Sequence, residues 1–183
     1  MVSEIFVDKN AHFEINKIQD EAEDSFQNAT EQVVQADDST VKINTFTLNG
    51  SIVRNNLNND SIGKNTMTYL NGLYPLKGKQ HVDNHTYLLH REPNGESHEL
   101  YKGIIGDSST GVFNGKVFVH REAQKTNAFQ SNANIVMTDT ATINSKPELE
   151  IYADDVKCSH GSTTGQLDEE ALFYLRARGL SKD

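Results

Sequence analysis

Apolar and polar residues alternate along much of the chain, the period-of-two signature of half-buried strands. Near the start Ile5 and Val7 alternate, and in His12-Phe13-Glu14-Ile15-Asn16-Lys17-Ile18 the residues Phe13, Ile15 and Lys17 share a face. The run Thr40 to Leu48 predicts a strand ending at Asn49-Gly50; Ser51 to Leu57 predicts another, ending at a corner over Asn58-Asn59-Asp60. The acidic stretch 19–25 predicts a loop, and Asn71-Gly72 and Pro93-Asn94-Gly95 predict turns, because Asn and Gly tolerate positive φ. Taken alone, Asn114-Gly115 between Gly111-Val112-Phe113 and Lys116-Val117-Phe118-Val119 predicts a tight hairpin. Short strands with frequent Asn or Gly corners, and no helix until the end, predict an all-β solenoid or sandwich. A parallel β-helix, with stacked turns and polar ladders, fits the spacing better than crossover units. No strict repeat period is visible.

The last segment changes character. Residues 165–179 are good helix formers, with Asp168, Glu169 and Glu170 in the first turn, Arg176 and Arg178 in the last, and Gly179 as a stop. Leu172 and Leu175, with Ala171 and Arg178, lie along one stripe. The expected division is a β core over 1–164 and the start of a C-terminal helical region over 165–183. A lone terminal helix, and a strand opening almost directly after Met1, read as part of a longer protein.

Composition narrows the class. A net charge of −9, a pI near 5.2 and the lack of any basic run argue against a nucleic-acid surface. No apolar stretch approaches the ~20 residues of a membrane span, and the first residues lack the order of a signal peptide. The expectation is a soluble, cytoplasmic, acidic protein, its mean hydropathy −0.61.

The only cysteine, Cys158, cannot form an internal disulfide, and His160 follows two residues on. On a strand the two side chains share a face, a thiolate and an imidazole suited to iron, zinc or a sulfur species. Two ligands close no tetrahedral site, so the remainder must come from elsewhere, which points to an inter-subunit site. The plainer reading is a buried small hydrophobe beside a satisfied histidine; the neighbouring Asp154 and Asp155 would raise the thiol pKa and weaken a nucleophile. His81, Asp83 and His85 also share a strand face, a two-histidine, one-carboxylate set for a metal-dependent enzyme, against a plainer polar solvent face. His90 and His98 add imidazoles nearby in sequence. Gln124, Thr126, Ala128 and Gln130 alternate as a stacked amide ladder would. Glycine-rich phosphate loops are absent.

Several blocks together resemble the SufB/SufD family of iron–sulfur cluster assembly proteins: Asn71-Gly72-Leu73-Tyr74, Gln80 to Thr86, Glu99-Leu100-Tyr101-Lys102-Gly103, Gly111 to Lys116, and Ala123 to Ala128. Lys146 to Ile151, Asp155 to Gly161 and Phe173 to Gly179 continue the series in family order, leaning toward the SufD branch. The resemblance implies a right-handed parallel β-helix followed by C-terminal helices, a scaffold component rather than an enzyme. It implies pairing with a SufB-like paralogue and docking of a SufC-like ATPase. Carried over, Cys158 and His160 lie at the paralogue contact, near a transient iron–sulfur cluster or iron. Asp168, Leu172, Phe173, Leu175 and Arg176 begin the ATPase-docking surface. The chain is shorter than the family pattern at both ends. A self-associating solenoid, homodimeric through the Cys158 edge, is the remaining alternative.

Overall fold

The computed structural model describes residues 1–166 and 168–180. Twelve strands follow one another: β1 (Val2–Val7), β2 (His12–Asp20), β3 (Phe26–Gln35), β4 (Thr40–Asn49), β5 (Ile52–Ser61), β6 (Met67–Leu76), β7 (His81–His90), β8 (Glu96–Ile105), β9 (Thr110–Val119), β10 (Asn127–Val136), β11 (Thr142–Ile151) and β12 (Lys157–Gln166). One helix, α1 (Glu169–Arg176), closes the series. Odd strands form one six-stranded sheet in the order β1-β3-β5-β7-β9-β11, even strands the other, β2-β4-β6-β8-β10-β12, and every pairing is parallel. Each turn therefore adds one strand to each sheet. The result is a β-solenoid of about six turns.

Stacking explains which residues point inward. Val33, Val53, Val82, Phe113 and Val117 from one sheet meet Val41, Leu70, Tyr74, Tyr101 and Ile105 from the other, all at 2% exposure or less. Burial of each such side chain contributes about 1.5–3 kcal/mol. The interior is nonetheless partly polar. Lys17 is inward, as its alternation predicts, and is neutralised by Glu31 at 2.6 Å while donating to Asn55 Oδ1 at 3.0 Å. Asn55 in turn donates to Gln19 Oε1 and Asn84 Oδ1, both at 3.1 Å.

Three expected corners lie inside strands instead. Asn58-Asn59-Asp60 belongs to β5, Asn71-Gly72 to β6 and Asn114-Gly115 to β9. Two of these glycines are there for space. A Cβ on Gly72 would fall 2.2 Å from the Tyr101 ring of the next turn, and one on Gly115 2.5 Å from Gln130 Nε2. The working corners are a column of left-handed residues: Asn10, Asp38, Asn65, Asn94 and Lys125, with φ from 56° to 62°. Each donates its N–H to a carbonyl of the following turn, as in Asn65 to Pro93 and Asn94 to Gln124. The expected amide ladder over Gln124–Gln130 does not form: Lys125 is a corner, Thr126 donates to Ala123 O, and Gln130 donates to Glu99. The amide ladder runs instead on the outer face, Asn71 to Asn44 to Asn16, each step 2.8 Å.

The helix is shorter than expected because β12 continues through Gly165 and Gln166. Asp168 caps it, its Oδ1 accepting from Glu170 N and Ala171 N at 2.9 and 3.1 Å. No helix among the described residues is long and apolar enough to cross a membrane.

Candidate functional site at the β12 margin

Among the described residues β12 ends its sheet and pairs with β10 alone, Cys158 opposite Ala128 and His160 opposite Gln130. Ala128 and Gln130 are buried, so the alternation directs Cys158 and His160 toward the solenoid interior at its last turn. Ser162, two further on, confirms the direction: its Oγ donates to the inward Ser145 Oγ at 2.8 Å. Cys158 is half-buried against the margin of the core and His160 is exposed. The two groups thus share one face, and that face is open. Burial raises the Cys158 thiol pKa, a backbone contact to Ala128 partly opposing it; the cause is desolvation and not the acids at 154 and 155.

The backbone decides how this margin can pair. Lys157 N–H donates to Thr126 O, so in a parallel ladder the odd residues of β12 bond β10, and Cys158, His160, Ser162 and Thr164 present N–H and C=O outward. In β11 the equivalent parity, fixed by Tyr152 N–H to Val119 O, puts Pro147 on the open side, where proline has no hydrogen to donate. Lys146, Glu148 and Glu150 add charge to that strand. Charges and proline are the devices that blunt a sheet edge. β11 carries both, whereas β12 beyond Lys157 carries neither.

Behind His160 lies a buried polar group. Glu99, 2% exposed, accepts from Gln130 Nε2 at 2.6 Å through Oε2, while its Oε1 and Gln130 Oε1 have no hydrogen-bond partner. Burial pushes the Glu99 carboxyl up to about 7, the nearby Thr86 hydroxyl and Gln130 amide partly offsetting it. Burial also lowers His90 to about 4; its Nε2 lies 3.0 Å from Ser97 Oγ. Neither Glu99 nor His90 stands out in the sequence as a buried ionisable group. Their signal was position: each falls on the inward phase of its strand.

His81, Asp83 and His85 share the outer face of β7, but the Asp83 carboxylate is held by Arg54 at 2.5 Å, and His85 Nε2 is 2.8 Å from its other oxygen. Among the described residues no group of three or more His, Cys, Asp or Glu converges as a metal-holding set. His98 lies on the other sheet, stacked between Tyr69 and Phe129. On α1, Phe173 and Leu175 are 75% and 45% exposed, Leu172 is half-buried, and Arg176 is exposed; Asp168 is engaged as the cap.

The fold places the chain among parallel β-solenoid proteins. The chain belongs to the family described as SUF system FeS cluster assembly, SufBD core domain, which matches residues 1–183. It is 40% identical to an iron–sulfur cluster assembly SufBD family protein of Synechocystis, over 99% of this chain and 40% of that one. It is 38% identical to the iron–sulfur cluster assembly protein SufD of Escherichia coli, over 97% of this chain and 42% of that one. A chloroplastic Arabidopsis thaliana protein is 37% identical over 98% of this chain and 38% of its own length. The chain spans about two fifths of the length of these curated relatives.

Proposed function

We propose that the chain is the β-solenoid portion of a SufD-like, non-enzymatic scaffold subunit for iron–sulfur cluster assembly in the cytoplasm. It pairs through β12 with a SufB-like paralogue, and Phe173, Leu175 and Arg176 on α1 begin the surface that docks a SufC-like ATPase. Iron or a nascent cluster is cargo at the subunit contact, where Cys158 and His160 supply half a ligand set that the paralogue completes. One observation carries this reading: an unblunted strand edge on which those two groups share an open face. Added-strand pairing would satisfy the free N–H and C=O groups of Cys158, His160, Ser162 and Thr164. Burial raises the Cys158 thiol pKa and metals bind the thiolate, so ligation there releases a proton.

The test is a pull-down of the full-length protein against SufB-like and SufC-like partners from the same organism, followed by cluster reconstitution. Co-purification with both is expected, with cluster yield falling in His160→Ala and Cys158→Ala. Unchanged yield in both variants removes these residues from the mechanism. Light scattering of the protein alone then shows whether the same edge supports a homodimer.

A further inference from the structure

In-register stacking places His160 directly over Gln130, and Gln130 over Glu99, in a single inward column that continues to Leu70 and Ile43. Gln130 is 3% exposed and Glu99 2%. The Gln130 amide is fixed from below, because its Nε2 donates to Glu99 Oε2 at 2.6 Å. In that orientation of the amide Oε1, a buried acceptor, is left without a donor. An orphaned buried acceptor costs about 1–3 kcal/mol, so a donor on the adjacent rung is strongly favoured. The adjacent rung carries an imidazole, and a neutral imidazole has one N–H to give.

We infer that Gln130 and Glu99 form a buried support that positions His160. In the structure the ring is exposed and makes no hydrogen bond to Gln130; when a partner covers the margin it turns inward so that a ring N–H donates to Gln130 Oε1, while Glu99 holds the Gln130 amide in place. The consequence is chemical. With one ring nitrogen committed to the amide oxygen, the other keeps its lone pair and faces away from the column, toward the open margin. A histidine ligand held in this way has a fixed tautomer and a fixed ring plane. The space for it is made by Gly115, since a Cβ there would displace the Gln130 amide at 2.5 Å. An amide suits the middle rung because it joins donor to acceptor without bringing a second charge into the interior. Gln130 and Glu99 are positioning residues that act through His160. The inference rests on the proposed role of the β12 margin, but the hydrogen bond can be read independently of assembly.

The experiment uses the full-length protein labelled with 15N-histidine, in complex with its SufB-like partner, above the pH at which exposed histidines titrate. His160 is expected to show the nitrogen shifts of a single tautomer, unlike the exposed His12. In Gln130→Met, which keeps length and loses both polar atoms, the His160 shifts are expected to collapse toward those of His12. In Glu99→Gln, which keeps shape, they move partway. Iron affinity of the complex falls about tenfold in Gln130→Met. His160 shifts that match His12 in the parent complex overturn the inference. So do shifts unchanged in both variants, each shown folded by a cooperative melt. A cluster yield unaffected by His160→Ala, with the tautomer result intact, would sink the assembly role and leave the hydrogen bond standing.

Discussion

Lys125 occupies a corner where its four stacked counterparts are Asn or Asp, and its φ is 61°. A left-handed backbone costs a residue with a Cβ roughly 1–2 kcal/mol, and a lysine side chain recovers none of it locally. Replacement by glycine keeps the N–H that bonds Asp155 O and removes the strain. Glycine's greater freedom when unfolded returns about 0.4–1 kcal/mol of the gain. Lys125→Gly is therefore expected to raise the melting temperature by about 2–4 °C, and Lys125→Val to lower it. Glu99 and His90 make a second residue-scale test. Glu99 is raised from 4.5 to about 7, so its buried form is stable while protonated, and stability is lost as pH rises from about 4.5 through 7. His90 is lowered from 6.5 to about 4, so its contribution is present above 6.5 and is lost as pH falls toward 4. Between 4.5 and 6.5 the two slopes oppose each other. The unfolding free energy of Glu99→Gln from urea titrations, minus that of the parent, is expected to rise with pH over that window, by on the order of 3 kcal/mol in total. A flat difference would show that Glu99 is not desolvated.

At the scale of elements, alternation within each strand was legible, and so were the corners at Asn49-Gly50 and Pro93-Asn94-Gly95. What misled was Asn-Gly in mid-strand, because Gly72 answers to Tyr101 one turn away and Gly115 to Gln130 across the interior in the opposite sheet, contacts that no local window contains. The repeat was hidden for a related reason. Stacked partners are 27 residues apart at Asn44 and Asn71, 29 at Asn55 and Asn84, and 31 at Glu99 and Gln130, since the corners absorb insertions while the rungs stay aligned. The pairing of Cys158 and His160 on one face followed from a period of two; the parity of their backbone groups required the neighbouring strand. That parity gives a paired test. Ser162→Pro removes an outward N–H and is expected to leave the melt of the isolated protein nearly unchanged while weakening partner capture about tenfold. Thr163→Pro removes an N–H that bonds β10, and the melting temperature is expected to fall in the absence of any partner. Equal effects of the two variants on the isolated melt would mean the parity is misread.

Across the whole molecule, each turn packs only on its two neighbours, so stability is shared by adjacent interfaces and is lowest where one neighbour is missing. The interior turns around β5 to β9 hold Phe113, Val117, Leu57 and Leu88, each 2% exposed or less, while β12 is exposed along almost its whole length. Hydrogen exchange should report this gradient directly. Amides in β7 and β9 are expected to exchange only with global unfolding. In β12 the amides of Cys158, His160, Ser162 and Thr164 should exchange within the dead time, and those of Ser159, Gly161 and Thr163 more slowly, through local opening from β10. Addition of the SufB-like partner should then protect the first set most, because a strand laid on this edge bonds those groups and no others. Protection that appears on α1 alone would place the contact on the helix and take the β12 margin out of the assembly.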